Sequence, residues 1–312
     1  MNKVRIIALF GFLLSITVSR VLAQPGTQPE KLIMSMKTGD LTNALEIAQN
    51  IDSVNYTGRD GMSLLMHAIV NGYTKVCEIL ADKGANLDYR RADGATALIM
   101  TCRIGHPNVV ALLLAKGANP DLQSISGSTA LIWASIIGRA NVVKILLDNG
   151  ANPDIQDHDG STALLWASLR GHIEVVNLLL DKGANSGLMS SDGVTALIIA
   201  AQKGITDVVK VLLEKGADPD QQGSNGISSL MRASQLGHRE IVKLLLESGA
   251  NPDLQGKNGY TALMVASMNG HTDIVTELLN KSANPDLKSA EGKTALDLAS
   301  NSDIMSLLAN IK

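Results

Sequence analysis

From residue 61 onward, apolar and polar positions follow one pattern that repeats every 33 residues. Glycines stand at 61, 94, 127, 160, 193, 226, 259 and 292, with no insertion between them. Each opens a short apolar segment, as in Gly127-Ser-Thr129-Ala-Leu131 and Gly160-Ser-Thr162-Ala-Leu164, and a second glycine follows eleven residues later, from Gly72 to Gly270. Next come a stripe such as Val142, Val143, Leu146 and Leu147, and a segment such as Gly150-Ala-Asn-Pro-Asp154. The hydroxyl of Thr129 suits a helix N-cap, because it can accept a backbone N–H of the first turn. Leu131 and Ala134 then share one helix face, and Gly138 ends the helix. The i, i+3, i+4 spacing of the stripe predicts a second helix, closed by Gly150 in the left-handed region. Asn-Pro-Asp and the Asp60-Gly61, Asp93-Gly94, Asp159-Gly160 and Asp192-Gly193 pairs are turn chemistry. Each unit therefore reads as helix, turn, helix and an extended hairpin-like loop. Two such short helices cannot bury both faces alone, so neighbouring units must complete the core.

The period and the Gly-x-Thr-Ala-Leu text resemble the ankyrin repeat family, over about residues 28 to 312. The resemblance implies an all-α solenoid of stacked helix-turn-helix units, about nine in number with the caps. Residues 24–60 form an N-terminal capping pair, 61–291 seven full repeats and 292–312 a shortened C-terminal cap. Two departures from the family text recur. Its Pro is Ala (Ala97, Ala130, Ala163, Ala196, Ala262, Ala295), which still starts a helix well. Its His is aliphatic (Met66, Ile99, Ile132, Leu165, Ile198, Met231, Met264), which removes the family's Thr–His hydrogen bonding. At the ends, Leu32, Ile33, Leu41, Ala44 and Leu45 outline a degraded first pair, with Gly39 in register with Gly72. Ala299 to Ile304 lacks four residues relative to Ala266 to Ile274. Nine helix pairs at 8–10 Å spacing predict a curved rod roughly 65–80 Å long.

Composition then adjusts the picture. The chain has 312 residues, 27 basic and 30 acidic side chains and only 3% aromatic residues. Near-balanced charge argues against a polybasic nucleic-acid binder. Lys3 and Arg5, the uncharged run Ile6 to Val18 and the small residues of Val21-Leu22-Ala23 read as a cleaved export signal over residues 1–23. Thirteen residues span about 20 Å as a helix, short of the roughly 30 Å of a bilayer core. Removing this segment leaves 24 basic against 30 acidic groups and no Phe. The expected product is an exported, periplasmic or secreted, monomer without a membrane anchor.

Candidate chemistry is sparse. Cys77 and Cys102 read as small buried residues, with a disulfide as the lesser alternative. His106, His172, His238 and His271 fall in the turn between paired helices, and Asp88, Asp121, Asp154, Asp220, Asp253 and Asp286 form a loop column. Equal positions in adjacent repeats lie roughly 10 Å apart, too far to share a metal ion, so hydrogen bonding is their expected role. No nucleophile elbow, phosphate loop, Cys-x-x-Cys or His-Glu-x-x-His occurs. Neither catalysis nor a cofactor is expected.

The functional lead is a face of the first helices, formed by positions six, nine and ten past each repeat glycine. Across seven units it holds no Asp or Glu, and Arg103, Arg170, Lys203 and Arg232 are its only Lys or Arg residues. Acids gather instead at the loop tips: Asp60, Asp93, Asp159, Asp192 and Glu291. The family resemblance places partner binding in the concave groove between first helices and loops. The candidate site is Met100, Arg103, Ile104, Trp133, Ile136, Ile137, Trp166, Leu169, Arg170 and Lys203, with position six shared between groove and inter-repeat packing. The expected function is an exported protein-interaction module binding a protein segment of apolar and acidic character. A structural or stress-protection component of the cell envelope is the alternative.

Overall fold

The computed structural model describes residues 26–310. The expected leader, 1–23, lies outside the described residues, as do 24, 25, 311 and 312. Within them the chain forms seventeen α-helices and no strand, only an isolated bridge between Thr57 and Ser63. The expected hairpin-like loops are thus chains of turns.

The 33-residue unit folds as its residues dictate. In α7 (Ala130–Ile137), Thr129 is extended (φ −85°, ψ 174°) and its hydroxyl accepts the Ile132 N–H at 3.2 Å. Thr96, Thr162, Thr195 and Thr261 repeat this cap, and Ser63 and Ser228 replace it with the shorter hydroxyl. Such a cap contributes about 1 kcal/mol. Gly138 ends α7 at φ +81°, a conformation that a Cβ would oppose. The second helix, α8 (Ala140–Asp148), buries Val142, Val143, Leu146 and Leu147. Ala134 and Ser135 are fully buried between neighbouring first helices, where small side chains permit close approach.

The N-terminal pair, α1 (Gln28–Thr38) and α2 (Leu41–Asn50), forms as expected, with Leu32 and Ala44 fully buried and Gly39 left-handed between them. Leu41 is exposed. The C-terminal end differs from expectation: eight helix pairs are followed by a single helix, α17 (Ser302–Ala309), and not by a ninth pair. The Asp297 carboxylate accepts both the backbone N–H and the hydroxyl of Thr294 at 2.9 Å, and Ser300 N–H bonds Ser267 O. Without the four missing residues, this stretch is held as turns.

Three columns of polar residues lace the units together. Between the paired helices, His172 Nε2 lies 3.2 Å from Ile136 O and His271 Nε2 3.2 Å from Gln235 O, while Arg139 donates to Ile104 O at 2.9 Å. These carbonyls end the first helix of the preceding unit and have no intrahelical partner. In the loops, Asp88, Asp121, Asp154, Asp220 and Asp253 each accept the backbone N–H 31 residues ahead, at Asn119, Asn152, Asn185, Asn251 and Asn284, over 2.7–3.0 Å. Gln123, Gln156, Gln222 and Gln255 donate both to a carbonyl of their own loop and to one 33 residues ahead. Both loop columns fail at one junction. Gly187 stands in the Asp column and Met189 in the Gln column. There Gln221 Nε2 donates to Gly187 O instead, and Ser224 N–H shifts register to Gly193 O.

Candidate functional site: the concave groove

The ten predicted groove residues separate by position. Position ten past the repeat glycine is exposed in every unit, including Ile104, Ile137, Arg170 and Lys203. Position nine is exposed at Arg103 and half-buried at Ile136 and Leu169. Position six points toward the neighbouring first helix. Met100, expected in the groove, is therefore in the core at 7% exposure and is removed from the site. Trp133 and Trp166 are half-buried, as are Ile199, Arg232 and Val265 at the same position, so side-chain size alone does not set the depth.

Both indoles are fixed. The Arg103 guanidinium sits 4.7 Å from the Trp133 ring centroid, a cation–π contact between adjacent repeats. The Trp166 Nε1–H donates to Asp157 Oδ2 at 2.8 Å, and Asp157 Oδ1 accepts the N–H groups of Asp159 and Ser161. Asp157 thus ties a groove helix to its loop, a role that its polar loop sequence did not single out.

Charge is distributed unevenly over the two faces. On the second helices and the turns after them, cations meet carboxylates: Lys116 with Asp82, Lys144 and Lys182 with Asp148, Lys215 with Asp181, Arg239 with Asp273. The two lysine ammoniums hold the exposed Asp148 carboxyl down to about 2. In the groove, Arg103, Arg170, Lys203, Arg232 and the loop residue Lys257 have no carboxylate within ion-pair distance among the described residues.

Three hollows mark the groove side. One of about 570 Å³ lies at the first units, lined by Glu30, Lys37, Arg59, Asp60 and His67. Burial holds the His67 imidazole below its ordinary value of 6.5, partly offset by Asp60 Oδ1 at 3.3 Å. A central hollow of about 370 Å³ is lined by Trp166 and Leu169 on the helices and by Asp159 and Asp192 on the loops. A third, of about 420 Å³, lies between Asn225, Ile227, Asn258 and Tyr260 of the loops and Met231, Gln235, Val265 and Met268 of the helices. It was not anticipated, although the change from Asp to Asn at 225 and 258 marks it in the sequence.

Elsewhere the chemistry is inert. Cys77 and Cys102 are buried free thiols. Burial pushes Cys77 up to about 12 and Cys102 higher still, so neither is a nucleophile at neutral pH. Among the described residues no cluster of three His, Cys, Asp or Glu side chains could hold a metal, and no helix is long and apolar enough to cross a membrane.

Six overlapping matches to the family described as ankyrin repeats (3 copies) cover residues 31–124, 65–157, 98–188, 138–223, 182–256 and 230–312. Among solved structures, the chain is similar to the ankyrin repeat domain of Bcl-3, described as a unique member of the IkappaB protein family. The two are 30% identical with a TM-score of 0.66, over 70% of this chain and 100% of that one. No curated protein matches the chain. A 33-residue capped unit, its stacking and these matches agree: the chain belongs to the ankyrin repeat family.

Proposed function

We propose that the protein is an exported, monomeric interaction module that holds a segment of a partner protein in its concave groove and catalyses no reaction of its own. Ankyrin repeat domains generally act as non-catalytic protein-interaction modules. The observation that carries the reading for this chain is the charge distribution. Most cations on the second helices and their turns are matched by neighbouring carboxylates (Lys83, Arg139 and Lys281 are not), whereas Arg170, Lys203 and Arg232 face the groove without one. A partner carboxylate would complete them, with Ile137 and Leu169 offering apolar contact beside them. Export rests on the sequence of residues 1–23, and the mature chain would begin at Gln24.

Crosslinking in the native compartment, followed by mass spectrometry, tests the reading. One stoichiometric partner is expected, lost on charge reversal (Arg170→Glu with Lys203→Glu) at unchanged melting temperature. Recovery indifferent to charge reversal would overturn the groove reading. Absence of any stoichiometric partner would favour an envelope component without one. An N-terminus other than Gln24 in the isolated protein would overturn the proposed cleavage site.

A further inference from the structure

We propose that the hollow at Met231 and Met268 is the anchor site of the groove, taking one apolar side chain of an extended partner segment whose adjacent residues are acidic. The inference rests on the groove reading and locates its strongest contact, outside the central patch that the two tryptophans suggest. Three observations carry it.

The first is shape. The hollow has a volume of about 420 Å³, with Met231 buried at its base and Met268 exposed at 42%. Unbranched thioethers adapt to a guest side chain at low energetic cost.

The second is charge. The loop-tip column reads Asp60, Asp93, Ser126, Asp159 and Asp192 through the first units, then Asn225 and Asn258. The central hollow is therefore edged by Asp159 and Asp192, and the first by Glu30 and Asp60. Lys257 is the only charged side chain lining the third. Of the three, it alone admits a carboxylate without repulsion from its own rim.

The third is a neighbouring cation. Gln235 lines the hollow, and its Oε1 accepts from the Arg232 guanidinium at 2.9 Å. Arg232 has no carboxylate within ion-pair distance among the described residues, so an acidic partner residue beside the anchor meets no competing ion pair.

The test pans short random peptides on the full chain and measures the enriched sequences by fluorescence anisotropy. Enriched peptides should pair an apolar residue with a neighbouring Asp or Glu and weaken as salt rises. Met268→Glu and Lys257→Glu, both at exposed positions, should each weaken binding by at least about tenfold, the loss of an anchor contact. Ile137→Glu, in the central groove, should weaken binding less than either anchor change. Circular dichroism establishes that each variant is folded, and ¹³C-methyl resonances of Met231 and Met268 should shift on peptide addition. Peptides that tolerate Met268→Glu and Lys257→Glu but fail on Ile137→Glu would end the anchor proposal and keep the groove reading. Basic peptides, peptides indifferent to all three changes, or no enrichment would overturn both.

Discussion

Restoring Asp to the loop column at residue 187 should stabilise the solenoid, and the size of the effect can be worked from the neighbouring rungs. In the intact rungs an Asp carboxylate accepts a backbone N–H at 2.7–3.0 Å. A hydrogen bond to a charged acceptor contributes about 1.5–3 kcal/mol, and exposure in the loop reduces that to about 1. Gly187 lies outside the left-handed region, so replacing it also restricts the unfolded chain, worth about 0.4–1 kcal/mol. A Cβ there would meet Asn185 Oδ1 at 3.2 Å; that oxygen accepts the Gly187 N–H, as Asn152 Oδ1 accepts the Asp154 N–H in an intact rung that carries a Cβ. Asp218, which stands where other units carry Asn, would repel the new carboxylate, so the variant pairs Gly187→Asp with Asp218→Asn. The expected gain is about 1–2 kcal/mol, or roughly 0.5–1 M in the urea midpoint at an m-value near 2 kcal/mol/M. Hydrogen exchange should show the amide of residue 218 about tenfold better protected, because 1.4 kcal/mol is a factor of ten. Asp121→Ala, which removes an existing rung, should move the midpoint the other way. A double variant with unchanged midpoint and unchanged protection at 218 would refute the claim that this junction is the weak seam of the stack.

Other expectations follow from the same geometry. Thr129→Ala should lower stability by about 1 kcal/mol through loss of the α7 cap, measured by urea denaturation. Cys77 and Cys102 should resist a thiol reagent in the native state and react only as denaturant opens the core. Burial depresses His67 below its unfolded value of 6.5, so the unfolded chain binds more protons as pH falls through that value. Stability from neutral His67 is thus complete above 6.5 and declines below it, and amide exchange should quicken first around α3 (Leu64–Val70).

Much of this structure was legible because the repeat writes each rule seven times. Thr caps, left-handed glycines and the Val-Val-x-x-Leu-Leu stripe act locally, within one unit, so their outcome can be read from spacing alone. The exposure of position six could not be read so. Its environment is set by the neighbouring unit: Met100 is taken into the core, whereas Trp133 and the smaller Ile199 and Val265 stay half-buried. The ninth pair was overestimated for a related reason. Lys293-Thr-Ala-Leu has helical text, and Thr294 and Asp297 make the reciprocal bonds of a helix start, but the four missing residues remove the room for a full helix. The Asp and Gln columns were visible as repeating letters. That they bond one unit to the next is not written in the letters, because their partners are backbone groups, N–H donors for Asp and carbonyl acceptors for Gln, with no sequence signature.

In a repeat protein, departures from the column text are of two kinds, and hydrogen bonds tell them apart. Gly187 and Met189 delete bonds that every intact rung makes, so these changes act on the scaffold. Asn225 is different. Its Oδ1 accepts the Ile227 N–H at 3.1 Å, the same turn bond that Asp93 makes with Ala95 N–H at 3.1 Å. The amide keeps the loop geometry and removes only the charge, and the affected loop edges the Met231 hollow. A change neutral for folding but not for the electrostatics of a groove is what selection on a ligand would leave. Asn225→Asp should accordingly keep the urea midpoint within about 0.5 kcal/mol of the parent, as surface changes do. The same substitution should weaken acidic peptides bound at the Met231 hollow several-fold, and the loss should shrink at high salt. A fall in stability equal to the loss in binding would show that residue 225 serves the fold, and would remove the loop-tip column from the argument for the anchor site.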